Sequence, residues 1–214
     1  MNPCRLPLLL VLASCSALSA RRESAFFDVR AEDDRLAVAV ESALRGLPAR
    51  AAPARPVPIE ARWSDTACSD GLTSSAGVRL SVDPHAGPDR LRFLVAHELA
   101  HYDLPPRARR LLPGVVQEGL ADLAALRAVP ALRDERLETY RLATLAVEPA
   151  RLAEVVRLDG PSAAKLCADE YLAYTAAGVE LAERVERAGP ATLERLMARA
   201  EAEGLALVPL AWFD

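Results

Sequence analysis

The stretch Val95-Ala96-His97-Glu98-Leu99-Ala100-His101-Tyr102 constrains this chain more than any other. It carries two of the three histidines in the sequence, four residues apart, with a glutamate directly after the first. On a helix, positions i and i+4 share a face, so both imidazoles can reach one metal ion. Glu98 is rotated by about 100° from His97. It therefore sits beside the ion, where it can take a proton from a water. Three His in 214 residues make chance assembly of this pattern rare.

A catalytic zinc needs a third protein ligand and an open position. Downstream lies Val116-Gln117-Glu118-Gly119-Leu120-Ala121-Asp122. Glu118 follows His101 by 17 residues, enough for one helix to end, turn and a second to begin. It is the candidate third ligand. Asp122 stands one turn further along the same helix face. A carboxylate there is well placed to accept the free N–H of a ligand histidine, which fixes its tautomer and ring angle.

His97-Glu98-x-x-His101 followed by Glu118-Gly119-x-Ala121-Asp122 resembles the gluzincin metallopeptidases. The nearest likeness is to the small bacterial peptidase MA-like domains, over residues 56 to 200. The resemblance implies a zinc held by His97, His101 and Glu118, one ion per chain, with Glu98 as general base. It also implies a tyrosine that stabilises the oxyanion. Tyr174, followed by a glycine at position 189, suits that role, and Tyr171 is the alternative. In gluzincins the strand before the active helix binds peptide at its edge, and Val78 to Val82 is the candidate by resemblance. The chain departs from the larger gluzincins in its shorter His101–Glu118 gap and in Val116-Gln117 before the ligand glutamate. After His101 comes Tyr102-Asp103-Leu104-Pro105-Pro106, without the glycine and third histidine of a metzincin.

Residues 1 to 20 read as an export leader: Arg5, then an apolar run from Leu6 to Ala13 too short for a stable membrane span. Leu12-Ala13-Ser14-Cys15 fits a lipobox, with cleavage before Cys15 and lipidation of it. Ordinary cleavage after Ala17-Leu18-Ser19-Ala20 is the alternative. By resemblance to lipoproteins of diderm bacteria, Ser16 favours an outer-membrane lipoprotein facing the periplasm. The lipid anchor is then the only membrane contact expected. Removing the leader takes away Arg5 and leaves a net charge near −5, which argues against nucleic acid as a partner. Two cysteines then remain besides Cys15. In an oxidising compartment Cys68 and Cys167 are expected to pair.

The chain is long enough for one domain with a real core. Residues 21 to 27 read as a tether, and residues 28 to 214 as a single catalytic domain. Leu36, Val40, Ala43, Leu44 and Leu47 recur at helical spacing within Asp28 to Leu47. Val57 to Trp63 and Val78 to Val82 alternate as strands, with a turn-rich loop from Thr66 to Gly77 between them. His85 follows in a loop, where solvation is its ordinary fate. Pro88 begins the active helix, with Leu91, Leu94, Val95 and Leu99 on its core face. A second metal helix runs from Gly114 to Ala128. Further helices are expected over Arg133 to Val147, Pro149 to Leu158, Ser162 to Ala188 and Ala191 to Glu203, with the tail Leu205 to Phe213 packing back on the core. The fold class is α+β: a small N-terminal sheet with an edge strand, then a mainly helical, zincin-like subdomain. The function expected is zinc-assisted hydrolysis of peptide bonds in a peptide or unfolded segment of the cell envelope. A non-catalytic envelope lipoprotein using this fold as a binding or assembly module is the alternative.

Overall fold

A computed structural model describes residues 20–49, 53, 55–66, 69–189 and 191–213. Residues 1 to 19 of the expected leader, Cys15 among them, and Cys68 lie outside the described residues. The fold is α+β, and the chain divides into two compact units, Met1–Tyr102 and Asp103–Asp214.

The first unit is built on a five-stranded sheet. Its strands are β1 (Ala20–Glu23), β2 (Phe27–Ala31), β3 (Val57–Trp63), β4 (Asp70–Ser74) and β5 (Gly77–Val82). They lie in the order β1-β2-β3-β5-β4. β2, β3 and β5 run parallel, and each outer strand is antiparallel to its neighbour. Alternation puts Val29, Ala31, Val57, Ile59, Ala61, Val78, Leu80 and Val82 on one buried face. Register aligns them in rows across the sheet, Val29–Ile59–Val78 and Ala31–Ala61–Leu80. Two helices bury their apolar sides in the same core. Helix α1 (Asp34–Arg45) gives Leu36, Ala37, Val40, Ala43 and Leu44. Helix α2 (Pro88–Asp103) gives Leu91, Val95 and Leu99. Each fully buried Leu or Val adds roughly 1.5–3 kcal/mol of transfer free energy.

Three expectations fail in this unit. The helix expected from Asp28 begins only at Asp34. Phe27, Val29 and Ala31 alternate, so this stretch pairs as β2, and helical spacing holds only from Leu36 onward. Asp33 fixes the helix start: its Oδ1 accepts from Leu36 N at 2.7 Å and its Oδ2 from Trp63 Nε1 at 2.8 Å. Those two bonds, the indole one foremost, hold its carboxyl below the usual range. The 21–27 tether is largely β1 and its turn into β2. Val78 to Val82 is no edge strand. It lies between β3 and β4, and β4 forms the edge within the stretch expected to be a loop.

The second unit is helical: α3 (Pro106–Leu111), α4 (Gly114–Ala128), α5 (Arg133–Ala146), α6 (Pro149–Val155), α7 (Gly160–Ala163), α8 (Ala168–Arg187) and α9 (Thr192–Ala202). The single long helix expected from Ser162 is interrupted, and α8 starts after Cys167 at its N-cap. Its core collects Leu111, Leu112, Val115, Val116, Tyr174, Val185, Met197 and Ala200. Val208 and Phe213 of the tail are buried there too, and Val208 N donates to Leu111 O at 2.8 Å, so the tail packs back as its composition implies. The arginines after α2 are not a bare loop. Arg107 pairs with Glu194 and Glu201, and Arg110 with Glu201, which ties α3 to α9. Among the described residues no helix is long and apolar enough to cross a membrane.

Candidate functional site

Helix α2 divides its residues by direction. Leu91, Val95 and Leu99 define the stripe buried against the sheet. At 100° per residue, His97 and His101 point about 140° away from that stripe, and Glu98 lies on its flank, about 60° off. The two imidazoles converge: their Nε2 atoms are 3.1 Å apart and their rings meet edge to face at a centroid distance of 4.7 Å. Two nitrogens bound about 2.05 Å from a tetrahedral ion stand roughly 3.3 Å apart. The observed spacing is therefore close to that of a ligand pair.

Glu98 is buried at 5% exposure, and β4 lies against it. Thr73 Oγ1 donates to Glu98 Oε2 at 2.7 Å, with the Glu98 carbonyl oxygen at 2.9 Å. Glu98 is thus a buried carboxylate with a defined donor on the edge strand, directly beside the two histidines.

In the second unit, Glu118 sits on α4 and accepts a hydrogen bond at Oε2 from the Tyr171 hydroxyl, at 3.1 Å. Asp122, one turn on, is 1% exposed and accepts from the Tyr140 hydroxyl. Arg136 Nε donates in turn to that hydroxyl at 3.0 Å, and its guanidinium lies over the Tyr140 ring. The expected acceptor of a histidine N–H is therefore held by α5 through Tyr140. One ligand atom from each of His97, His101 and Glu118 lies within 4.8 Å of the other two. Among the described residues this is the one group of three or more His, Cys, Asp or Glu gathered closely enough to hold a metal ion. Two neutral imidazoles and a carboxylate are a borderline donor set that suits zinc.

The two candidate tyrosines lie in different surroundings. Tyr174 is wholly buried, and its hydroxyl reaches only the Leu158 carbonyl, at 3.5 Å. Burial, with the charges of Glu118 and Asp159, pushes its phenol far above the ordinary range. Tyr171 is the tyrosine whose hydroxyl meets a candidate ligand. The two residues are three apart, hence about 60° apart around the helix, enough to send one into the core and the other to Glu118. His85 is exposed in its loop, where its backbone N–H bonds Asp83 Oδ1. Cys167 is an exposed free thiol. Its expected partner Cys68 lies outside the described residues.

Thr73 and Tyr140 escaped the sequence reading. Thr73 sits in Asp70-Gly71-Leu72-Thr73-Ser74, whose composition is that of a turn. Tyr140 carries no local signal, because its partner Asp122 is 18 residues away.

No protein-family model matches the chain, and no curated protein matches it.

Proposed function

We propose that the chain is a zinc-dependent peptidase of the gluzincin type, acting on a peptide or an unfolded protein segment. The observation that carries this reading is the approach of His97, His101 and Glu118, with the 3.1 Å Nε2–Nε2 spacing and the buried Glu98 next to it. His97 and His101 would hold the ion through Nε2 and Glu118 through a carboxylate oxygen. Bound there, zinc supplies polarisation of the scissile carbonyl and a water acidic enough to react at neutral pH.

The chain's own groups do the rest. Glu98 takes the proton of the attacking water and later delivers it to the leaving amine. Its burial and its bond from Thr73 keep the carboxylate at one address rather than free to rotate. Tyr171, in place of Tyr174, is the hydroxyl assigned to the oxyanion. It is held by Glu118 until substrate arrives. Asp122 fixes the second metal helix through Tyr140 and Arg136.

The protein purified without chelator is expected to hold one zinc per chain by elemental analysis. His97→Ala, His101→Ala and Glu118→Ala should each lose most of it. Full zinc affinity in Glu118→Ala would remove Glu118 from the ligand set and make Asp122 the next candidate. A quenched peptide library read alongside decides activity. Bound zinc with no turnover on any peptide would favour a binding module over an enzyme.

The tyrosines give a sharper contrast. Tyr171→Phe is expected to lower kcat by about 10²–10³ with little change in KM, the usual loss for an oxyanion donor. Tyr174→Phe removes only a long bond to a backbone carbonyl and should keep kcat within about threefold. The opposite ranking would return the oxyanion role to Tyr174.

A further inference from the structure

Across the three inner strands β2, β3 and β5 the inward face of the sheet is apolar. The row Val29–Ile59–Val78 ends at Thr73 on β4, and the row Ala31–Ala61–Leu80 ends at Gly71. At those two positions the apolar side chains of the inner strands give way to a hydroxyl and a hydrogen. Both residues are half-buried, while Leu72 between them points outward and is 62% exposed. The Glu98 side chain lies in the space this leaves. A Cβ built on Gly71 would stand 2.3 Å from Glu98 Oε1, 2.4 Å from Cδ and 2.5 Å from Cγ, closer than van der Waals contact allows. Thr73 supplies the polar partner in the same place, 2.7 Å from Oε2. Gly71 and Thr73 are therefore two parts of one seat, the first giving room and the second a donor.

We infer that β4 is the positioning element of the general base: Thr73 holds the Glu98 carboxylate through its hydroxyl, in a seat that Gly71 keeps open. The inference rests on the peptidase reading for the role of Glu98, but the seat itself is a property of the first unit alone. It has a mechanical consequence. Among the described residues β4 pairs only with β5, so the bond to Glu98 is a second restraint on an edge strand. Loss of the hydroxyl should loosen both partners: the base loses its orientation and the strand loses an anchor. A side chain on Gly71 should displace the base by filling its seat.

The test uses the full chain and two readouts. Thr73→Val keeps the shape and removes the donor, and Thr73→Ser keeps the donor. In hydrogen exchange, Thr73→Val is expected to raise exchange of the 70–74 amides about fivefold or more, with β3 unchanged, while Thr73→Ser stays within about twofold of wild type. In kinetics, Thr73→Val should lose about 10–10² in kcat with KM and zinc content within twofold, since displacement of a catalytic group by about 1 Å has that scale. Thr73→Ser should recover most of it. Unchanged exchange in Thr73→Val overturns the seat, and so does a serine variant as impaired as the valine one. Altered exchange with unaltered kcat overturns the positioning role. The exchange readout needs neither zinc nor turnover. A wild-type chain that binds no zinc and cleaves no peptide, yet shows the Val-against-Ser exchange contrast, would sink the peptidase reading and leave the seat standing.

Discussion

Glu98→Gln is expected to bind zinc as the wild type does and to lose turnover, with kcat down by about 10²–10⁴. The amide keeps the size of the carboxylate, so the seat formed by Gly71 and Thr73 stays filled. Its oxygen can still accept from Thr73 Oγ1, the donor now 2.7 Å from Glu98 Oε2. The helix stripe of Leu91, Val95 and Leu99 is untouched, so His97 and His101 keep their spacing. What the amide cannot do is accept the proton of an attacking water at neutral pH. The two measurements, zinc per chain and kcat on the best peptide, therefore come apart in this variant. In the histidine variants they fall together. Retention of more than about a tenth of the wild-type kcat would remove Glu98 from the role of base. A fall in zinc content would make it a ligand.

The parts of this protein that were legible in its sequence are those whose signal is local. Helix α2 from Pro88 and helix α4 from Gly114 to Ala128 announce themselves by Pro and Gly at their starts and by apolar spacing. Val57 to Trp63 and Val78 to Val82 alternate strictly because one face of each is buried. β4 was hidden for the opposite reason. An edge strand buries little, and its inward positions are Gly71 and Thr73 instead of valine and leucine, because Glu98 occupies the space. Its sequence therefore reads as a turn, and the resemblance places the edge on the neighbouring Val78 to Val82 instead. The two candidate tyrosines differ by angle, with Tyr174 in the core and the Tyr171 hydroxyl on Glu118. A resemblance could name a helix that carries a useful tyrosine, but 60° of rotation decides between Tyr171 and Tyr174. That rotation is set by how α8 packs on α4.

Gly119→Ala should be the most damaging single methyl group in the second unit. A Cβ at Gly119 would lie 2.0 Å from both the carbonyl carbon and oxygen of Gly178, and 2.6 Å from Val179 N. A Cβ on Gly178 would stand 2.1 Å from Val115 O. These neighbours are backbone, so no side chain can turn aside. Ordinary contact begins at 3.4 Å, so α4 and α8 must part by about 1.4 Å or bend. Parting them thins the packing around Val115, Tyr174, Ala182 and Val185, all buried. Overpacking of this kind costs about 3 kcal/mol or more, a fall in Tm of roughly 10 °C for a chain this long. The same displacement carries Glu118 away from the Tyr171 hydroxyl, now at 3.1 Å, so zinc affinity should fall about 10–100-fold even where the variant folds. Gly87→Ala is the control, because a Cβ there meets nothing within 4 Å. It should match the wild type in both Tm and zinc. A Gly119→Ala protein within about 2 °C of wild type would mean that α4 and α8 do not meet backbone to backbone at these glycines. The glycine of the Glu118-Gly119 pair would then need a reason other than packing. Loss of zinc affinity with an unchanged Tm would point instead to a local role for Gly119 in orienting the glutamate beside it.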